Sequence, residues 1–182
     1  MDQDIGFCTA PDGVRIAYAV VGEGPPLVKA PNWLTHLEFE WSSPVWRHWR
    51  EELAKDYTVI RFDQRGSGLS DRTVAEQTCD SWVNDLGAVV DHLGLDRLAL
   101  LGISQGGAVA AQYAVRNPRR VSHLLLYGAY ARGRVKRGGS LEEHEALQTL
   151  TRAGWGRDNP AVHFPLHARR HDRADGLVQR AA

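Results

Sequence analysis

A chain of 182 residues with 43% hydrophobic side chains suits one domain with a real core. Lys plus Arg and Asp plus Glu both number 22, so net charge is zero and there is no basic excess to signal a nucleic-acid binder. No apolar run approaches the ~18 residues of a membrane helix, and "MDQDIGF" lacks the basic-then-apolar order of a signal peptide; a cytoplasmic protein with no membrane contact is expected.

The charge is uneven: residues 1–130 hold 12 basic and 16 acidic side chains, residues 131–182 hold 10 and 6. Cys8 and Cys79 are far apart, form no metal-ligand cluster, and read as two small buried hydrophobes.

The first predicted strand is Val14 to Val21 in "GVRIAYAVVGEGPP", closed by a Gly/Pro turn. "PLVKAP" is a second short run ending at Pro31. Ser43-Pro44 then predicts a helix start, serine as N-cap and proline at the first helical position, with Val45, Trp46, Trp49 and Leu53 as its apolar stripe. "YTVIRF", Tyr57 to Phe62, is the next strand, followed by the polar loop "DQRGSGLSD". Trp82, Val83, Leu86, Val89, Val90 and Leu93 recur at helical spacing, and Gly94 is a natural stop. "LALLGI" is apolar at consecutive positions, as a strand covered on both faces should be. A small-residue helix stopped by Asn117-Pro118 follows, then the strand "VSHLLLY", Val121 to Tyr127. Strands alternating with helices predict a mostly parallel α/β sheet with helices on both faces, whose chemistry gathers at the carboxyl ends of the strands.

Beyond Tyr127, "GAYARGRVKRGG" reads as a basic, solvated connector. Ser140 and Glu143 make a capping box for a helix to about Gly154. The last 20 residues hold three His and four Arg without helical or alternating pattern. The expected organisation is a core over 1–127, helices over 128–161, and an unpatterned, disordered tail over 162–182.

One serine stands where a buried strand becomes a helix: Gly102-Ile103-Ser104-Gln105-Gly106. A serine hydroxyl needs a base within hydrogen-bond reach and donors for the oxyanion it creates. A sharp strand-to-helix turn exposes the hydroxyl above the sheet, sets it at a helix N-terminus and aims the next backbone N–H at the oxyanion. Its flanks must be small, as Gly102, Gly106 and Gly107 are. The pattern is the nucleophile elbow, G-x-S-x-G; the alternative is a serine that merely caps a helix.

On "GISQGG" and "FDQRGSGLSD", the latter similar to D-x-R-G-x-G-x-S, the chain resembles the α/β-hydrolase fold family from about Ile5 to Ala161, with no likeness expected from about Val162 onward. "PNWLTHLEFEWSSPVWRHW" and "AGWGRDNPA" resemble a subgroup found alone or joined to adenylate-cyclase or LuxR-type regulatory domains. The resemblance implies Ser104 as nucleophile, the Gln105 backbone N–H as one oxyanion donor and the Trp33 backbone N–H as the second. Pro31-Asn32 stands where the family has His-Gly. For "DQRGSGLSD" the functional reading is a wall of the active-site mouth, and the structural reading, favoured for these two side chains, is a turn held by Asp63 and Arg65. No metal and no organic cofactor are implied.

Family order is serine, then acid, then histidine, each partner following a further strand. Only 55 residues follow Tyr127, and none reads as a strand. His123, His144, His163, His167 and His171 each read as surface residues, and Asp158, Asp172 and Asp175 are no better as the acid, so triad acid and base are unassigned. The expectation is a serine-type hydrolase of a small ester, lactone or thioester, weak or inactive in a chain that reads as C-terminally truncated or frame-shifted. The alternatives are a non-catalytic ligand-sensing module of the same fold, with regulatory domains as partners, and a non-functional gene fragment.

Overall fold

The computed structural model describes residues 2–32, 35–133 and 135–154. Among the described residues six strands are present: β1 (Asp4–Thr9), β2 (Arg15–Val21), β3 (Pro26–Ala30), β4 (Thr58–Phe62), β5 (Leu98–Ile103) and β6 (Val121–Tyr127). They form one sheet in the order β1-β2-β4-β3-β5-β6. β3 runs parallel to β4 and β5, and β5 parallel to β6. β1 and β2 extend the sheet antiparallel at one edge. The architecture is the α/β sheet expected from the alternation of elements.

The helices are α1 (Leu37–Ser42), α2 (Arg47–Leu53), α3 (Cys79–His92), α4 (Gly106–Arg116) and α5 (Leu141–Gly154). Strand alternation divides the core between two faces of the sheet. Val28, Ile60, Leu98 and Leu100 meet Val83, Leu86, Val89 and Val90 of α3 and Val109, Ala110 and Tyr113 of α4. On the opposite face, Leu27, Leu101 and Ile103 meet Trp46, Trp49 and Leu53.

Helix α3 starts where the sequence has Thr78: its side chain accepts from the Ser81 N–H, and the Ser81 side chain accepts from the Thr78 N–H, a reciprocal capping box. Gly94, at φ +63°, takes the left-handed conformation that ends it.

Three described elements differ from the sequence reading: β1, α2 and α1. The six residues of α1, Leu37–Ser42, are too few to show a helical period, and the helix starts at His36, whose side chain accepts from the Phe39 N–H. β1 was not expected; as an edge strand it leaves Ile5 and Phe7 partly exposed, so its apolar signal is weak. Helix α2 begins at Arg47 with Trp46 as N-cap, not at Ser43-Pro44. Ser43 opens a preceding turn instead, its carbonyl accepting from the Trp46 and Arg47 N–H groups.

The chain divides into two compact units, Met1–Ala131 and Arg132–Ala182. The second unit contains the short 3-10 turn Val135–Arg137 and α5. The Ser140 hydroxyl accepts from the Glu143 N–H at 3.4 Å at the start of α5, as the capping box predicts. The tail 162–182 lies outside the described residues.

Candidate active site

β5 hydrogen-bonds to strands on both sides and ends at Ile103, at the carboxyl edge of the sheet. Ser104 follows with φ 52°, and among the described residues it is the one non-glycine residue in the left-handed region. Such a conformation costs an L-residue about 1–2 kcal/mol. The surroundings impose it: the Ser104 N–H donates to the Tyr127 carbonyl at 3.1 Å, extending the β5–β6 ladder, while its carbonyl already accepts from Gly107 in the first turn of α4. Ladder on one side and helix on the other leave the residue between them no relaxed choice.

The glycines are there for space. A Cβ on Gly102 would sit 2.6 Å from the Gly107 Cα, and one on Gly106 would sit 2.7 Å from the Pro31 carbonyl oxygen and 2.9 Å from that of Ala30. The elbow thus packs backbone to backbone against the exit of β3. The Ser104 side chain is half-buried.

Gln105 is the N-cap of α4 and has no side-chain cap bond. Among the described residues none accepts from its N–H. A free N–H at a helix N-terminus favours negative charge. Trp33 lies outside the described residues, so the second expected donor is not seen; Asn32, just before it, is.

The loop after β4 is held by its charged residues, as expected of them. Asp63 is fully buried, and its Oδ2 accepts from the Leu37 N–H at 3.2 Å and the Leu69 N–H at 2.8 Å. Arg65, 1% exposed, donates through Nε and Nη2 to both oxygens of Asp85 at 2.8 and 2.6 Å, and through Nη1 and Nη2 to Asp12 at 2.6 and 3.1 Å. The Arg65 hydrogen bonds hold the Asp12 carboxyl below the usual carboxylate range.

Among the described residues none hydrogen-bonds the Ser104 hydroxyl. His123 sits exposed at the third position of β6, toward the amino end, away from the carboxyl edge where Ser104 stands. His144 belongs to α5, in the second unit. His163, His167, His171, Asp158, Asp172 and Asp175 lie outside the described residues. No group of three or more His, Cys, Asp or Glu among the described residues is placed to hold a metal. None of the described helices is long and apolar enough to cross a membrane.

Sequence reasoning passed over one residue at this edge. Lys29, in "PLVKAP", donates from Nζ to the Asn32 Oδ1 at 2.6 Å. A charge inside a strand flanked on both sides was the available signal.

The sequence profile of the α/β-hydrolase fold matches residues 31–171. The chain belongs to that family. The match runs past Val162, where likeness was expected to stop. The chain is 35% identical over 136 residues to 2-hydroxy-6-oxo-2,4-heptadienoate hydrolase of Pseudomonas putida, covering 71% of this chain and 46% of the relative. It is 34% identical over 124 residues to a non-heme haloperoxidase of Rhodococcus erythropolis, covering 68% and 43%. Among solved structures, an esterase of Exiguobacterium antarcticum superposes with a TM-score of 0.70 at 28% identity, over 81% of this chain and 56% of that one. The chain spans about half the length of these relatives.

Proposed function

We propose that Ser104 is the nucleophile of a serine-type hydrolase that acts on a small ester, lactone or thioester through an acyl-enzyme. The observation that carries this reading is the left-handed Ser104 between a central strand and a helix N-terminus, a strained conformation that cores do not keep without a compensating use. The similar esterase supports ester hydrolysis, and the similar 2-hydroxy-6-oxo-2,4-heptadienoate hydrolase supports hydrolysis more broadly.

In this reading the Ser104 Oγ bonds to the acyl carbon and its proton passes to a base. The carbonyl π electrons move onto oxygen, which accepts from the Gln105 N–H and from the proposed Trp33 N–H. Collapse of the adduct expels the protonated alcohol or thiol, and water then releases the acid. The chemistry calls for no metal or organic cofactor. Base and orienting acid are assigned to no residue. Without a base against the hydroxyl, acylation by this chain is slow; in one serine protease, losing base or nucleophile costs on the order of 10⁶ in rate.

The test is labelling by a fluorophosphonate probe, which should occur on the wild type and vanish in Ser104→Ala; equal labelling of both overturns the assignment. Turnover of an activated ester near the ~10 per second typical of enzymes would show a working histidine, to be located by replacing His123, His144, His163, His167 and His171 singly.

A further inference from the structure

We infer that Lys29 is a positioning residue for this site: its ammonium clamps the Asn32 side chain and so fixes the exit of β3 against the elbow that carries Ser104. The inference rests on the reading of Ser104 as nucleophile.

β3 is flanked by β4 and β5, and helices cover both faces of the sheet around it. Such a strand is expected to be apolar throughout. Leu27, Val28 and Ala30 obey, at 3%, 0% and 0% exposure. Lys29 does not. It is opposite Arg61 of β4 and Leu101 of β5 in the sheet register. It lines a small space with Trp46, Trp49, Glu40 and Arg61, its Nζ 5.4 Å from the centroid of the Trp46 ring. Burial pushes its pKa down, Arg61 pushes the same way, and Glu40 and Asp63 push it up.

Arg61, Glu40 and Arg50 beside it are otherwise engaged. Arg61 donates to the Glu40 carboxylate and to the Gln3 side chain, and Arg50 donates to the Glu40 and Trp41 carbonyls. Lys29 instead turns to the loop, and its 2.6 Å bond to Asn32 closes the two residues between them, Ala30 and Pro31, into a tied turn. Those two residues present the carbonyls that lie against Gly106, within 2.9 Å of where a Cβ would stand. Contact that close transmits displacement: a shift of the β3 exit moves against the first turn of α4, and catalytic geometry tolerates little, with a 1 Å misplacement able to cost about 10² in rate. Even a half-buried ammonium loses water and is costly unless bonded, and the Asn32 bond that meets this cost is the one that holds the loop.

The experiment compares Lys29→Met, Asn32→Leu, the double variant and Asn32→Asp, which keeps an oxygen acceptor for the ammonium. Two readouts are taken on the full chain: the rate of Ser104 labelling by the fluorophosphonate, and amide hydrogen exchange of the peptide spanning residues 31–37. Lys29→Met and Asn32→Leu should each slow labelling by about 10- to 100-fold and speed exchange in that peptide. The double variant should lose no more than either single one, and Asn32→Asp should keep the wild-type rate. Additive losses that track melting temperature instead mean a merely structural role and overturn the inference. Unchanged exchange in Lys29→Met overturns the clamp, whatever Ser104 does. Faster exchange with unchanged labelling overturns the positioning role alone. A wild type that is not labelled at Ser104 fails the hydrolase reading and the positioning role with it, while the exchange data still judge the clamp.

Discussion

Replacing Ser104 by glycine should stabilise the protein, and by an amount the backbone predicts. At φ 52° the residue pays about 1–2 kcal/mol that glycine does not. Glycine loses more chain entropy on folding, which returns roughly 0.5–1 kcal/mol. The hydroxyl contributes little to offset this, having no partner among the described residues. The net gain is about 0.5–1 kcal/mol, and at 2–4 °C per kcal/mol for a chain of this size the melting temperature should rise by about 1–4 °C. Ser104→Ala is the control, because it removes the same hydroxyl but keeps the Cβ, and so should stay within about 0.5 kcal/mol of wild type. Urea titration and thermal melting of the three proteins side by side measure both differences. If Ser104→Gly melts below Ser104→Ala, the elbow is not strained, and the observation that carries the proposed function is lost.

Arg65→Met should cost about 3–5 kcal/mol in urea unfolding, since it strands the Asp85 carboxylate, 1% exposed, without its partner, whereas Asp12→Asn should cost under about 1 kcal/mol because the Asp12 side chain is 48% exposed; equal costs would contradict this reading of the loop. β6 carries Leu124, Leu125, Leu126 and Tyr127 at 40–61% exposure on the sheet edge, and exposed apolar edges associate, so the chain should sediment as oligomers that Leu126→Lys shifts toward monomer; an unchanged distribution means the edge is not the contact. Burial holds the folded-state pKa of Lys29 below its unfolded value near ~10.4. Between those two values the unfolded chain binds the extra proton, so stability rises with pH through that window. Wild type should therefore gain on Lys29→Met as pH climbs toward about 10, and a constant gap would show that burial does not perturb the amine.

Local signals were legible in the sequence because they depend on neighbours a few residues away. The β5–Ser104–α4 turn is written in adjacent small residues, α3 in its 3.6-residue stripe with Gly94 at the end, and α5 in the Ser140 cap. Elements decided by strand pairing or by competing turn hydrogen bonds, which leave little mark on the apolar pattern, were not legible. β1 exists because it pairs with β2, and nothing within "DIGFCT" marks it strongly while Ile5 and Phe7 stay partly exposed. The start of α2 is displaced because Ser43 and Pro44 are spent on a turn before it.

At the site the same division holds. Sequence by itself determined that a serine stands at a strand-to-helix turn between glycines, since chain order and residue size alone demand it. Only tertiary structure decided what surrounds that serine. Arg65 meets Asp12 and Asp85 from 53 and 20 residues away, the carbonyls of Ala30 and Pro31 close on Gly106, and Lys29 turns from the sheet to Asn32. Those contacts follow from the order in which strands assemble, which places β3 beside β5 although β4 lies between them in the chain. Hydrophobic burial on both faces of the sheet drives that assembly, and it is a property of the whole chain rather than of any stretch of it.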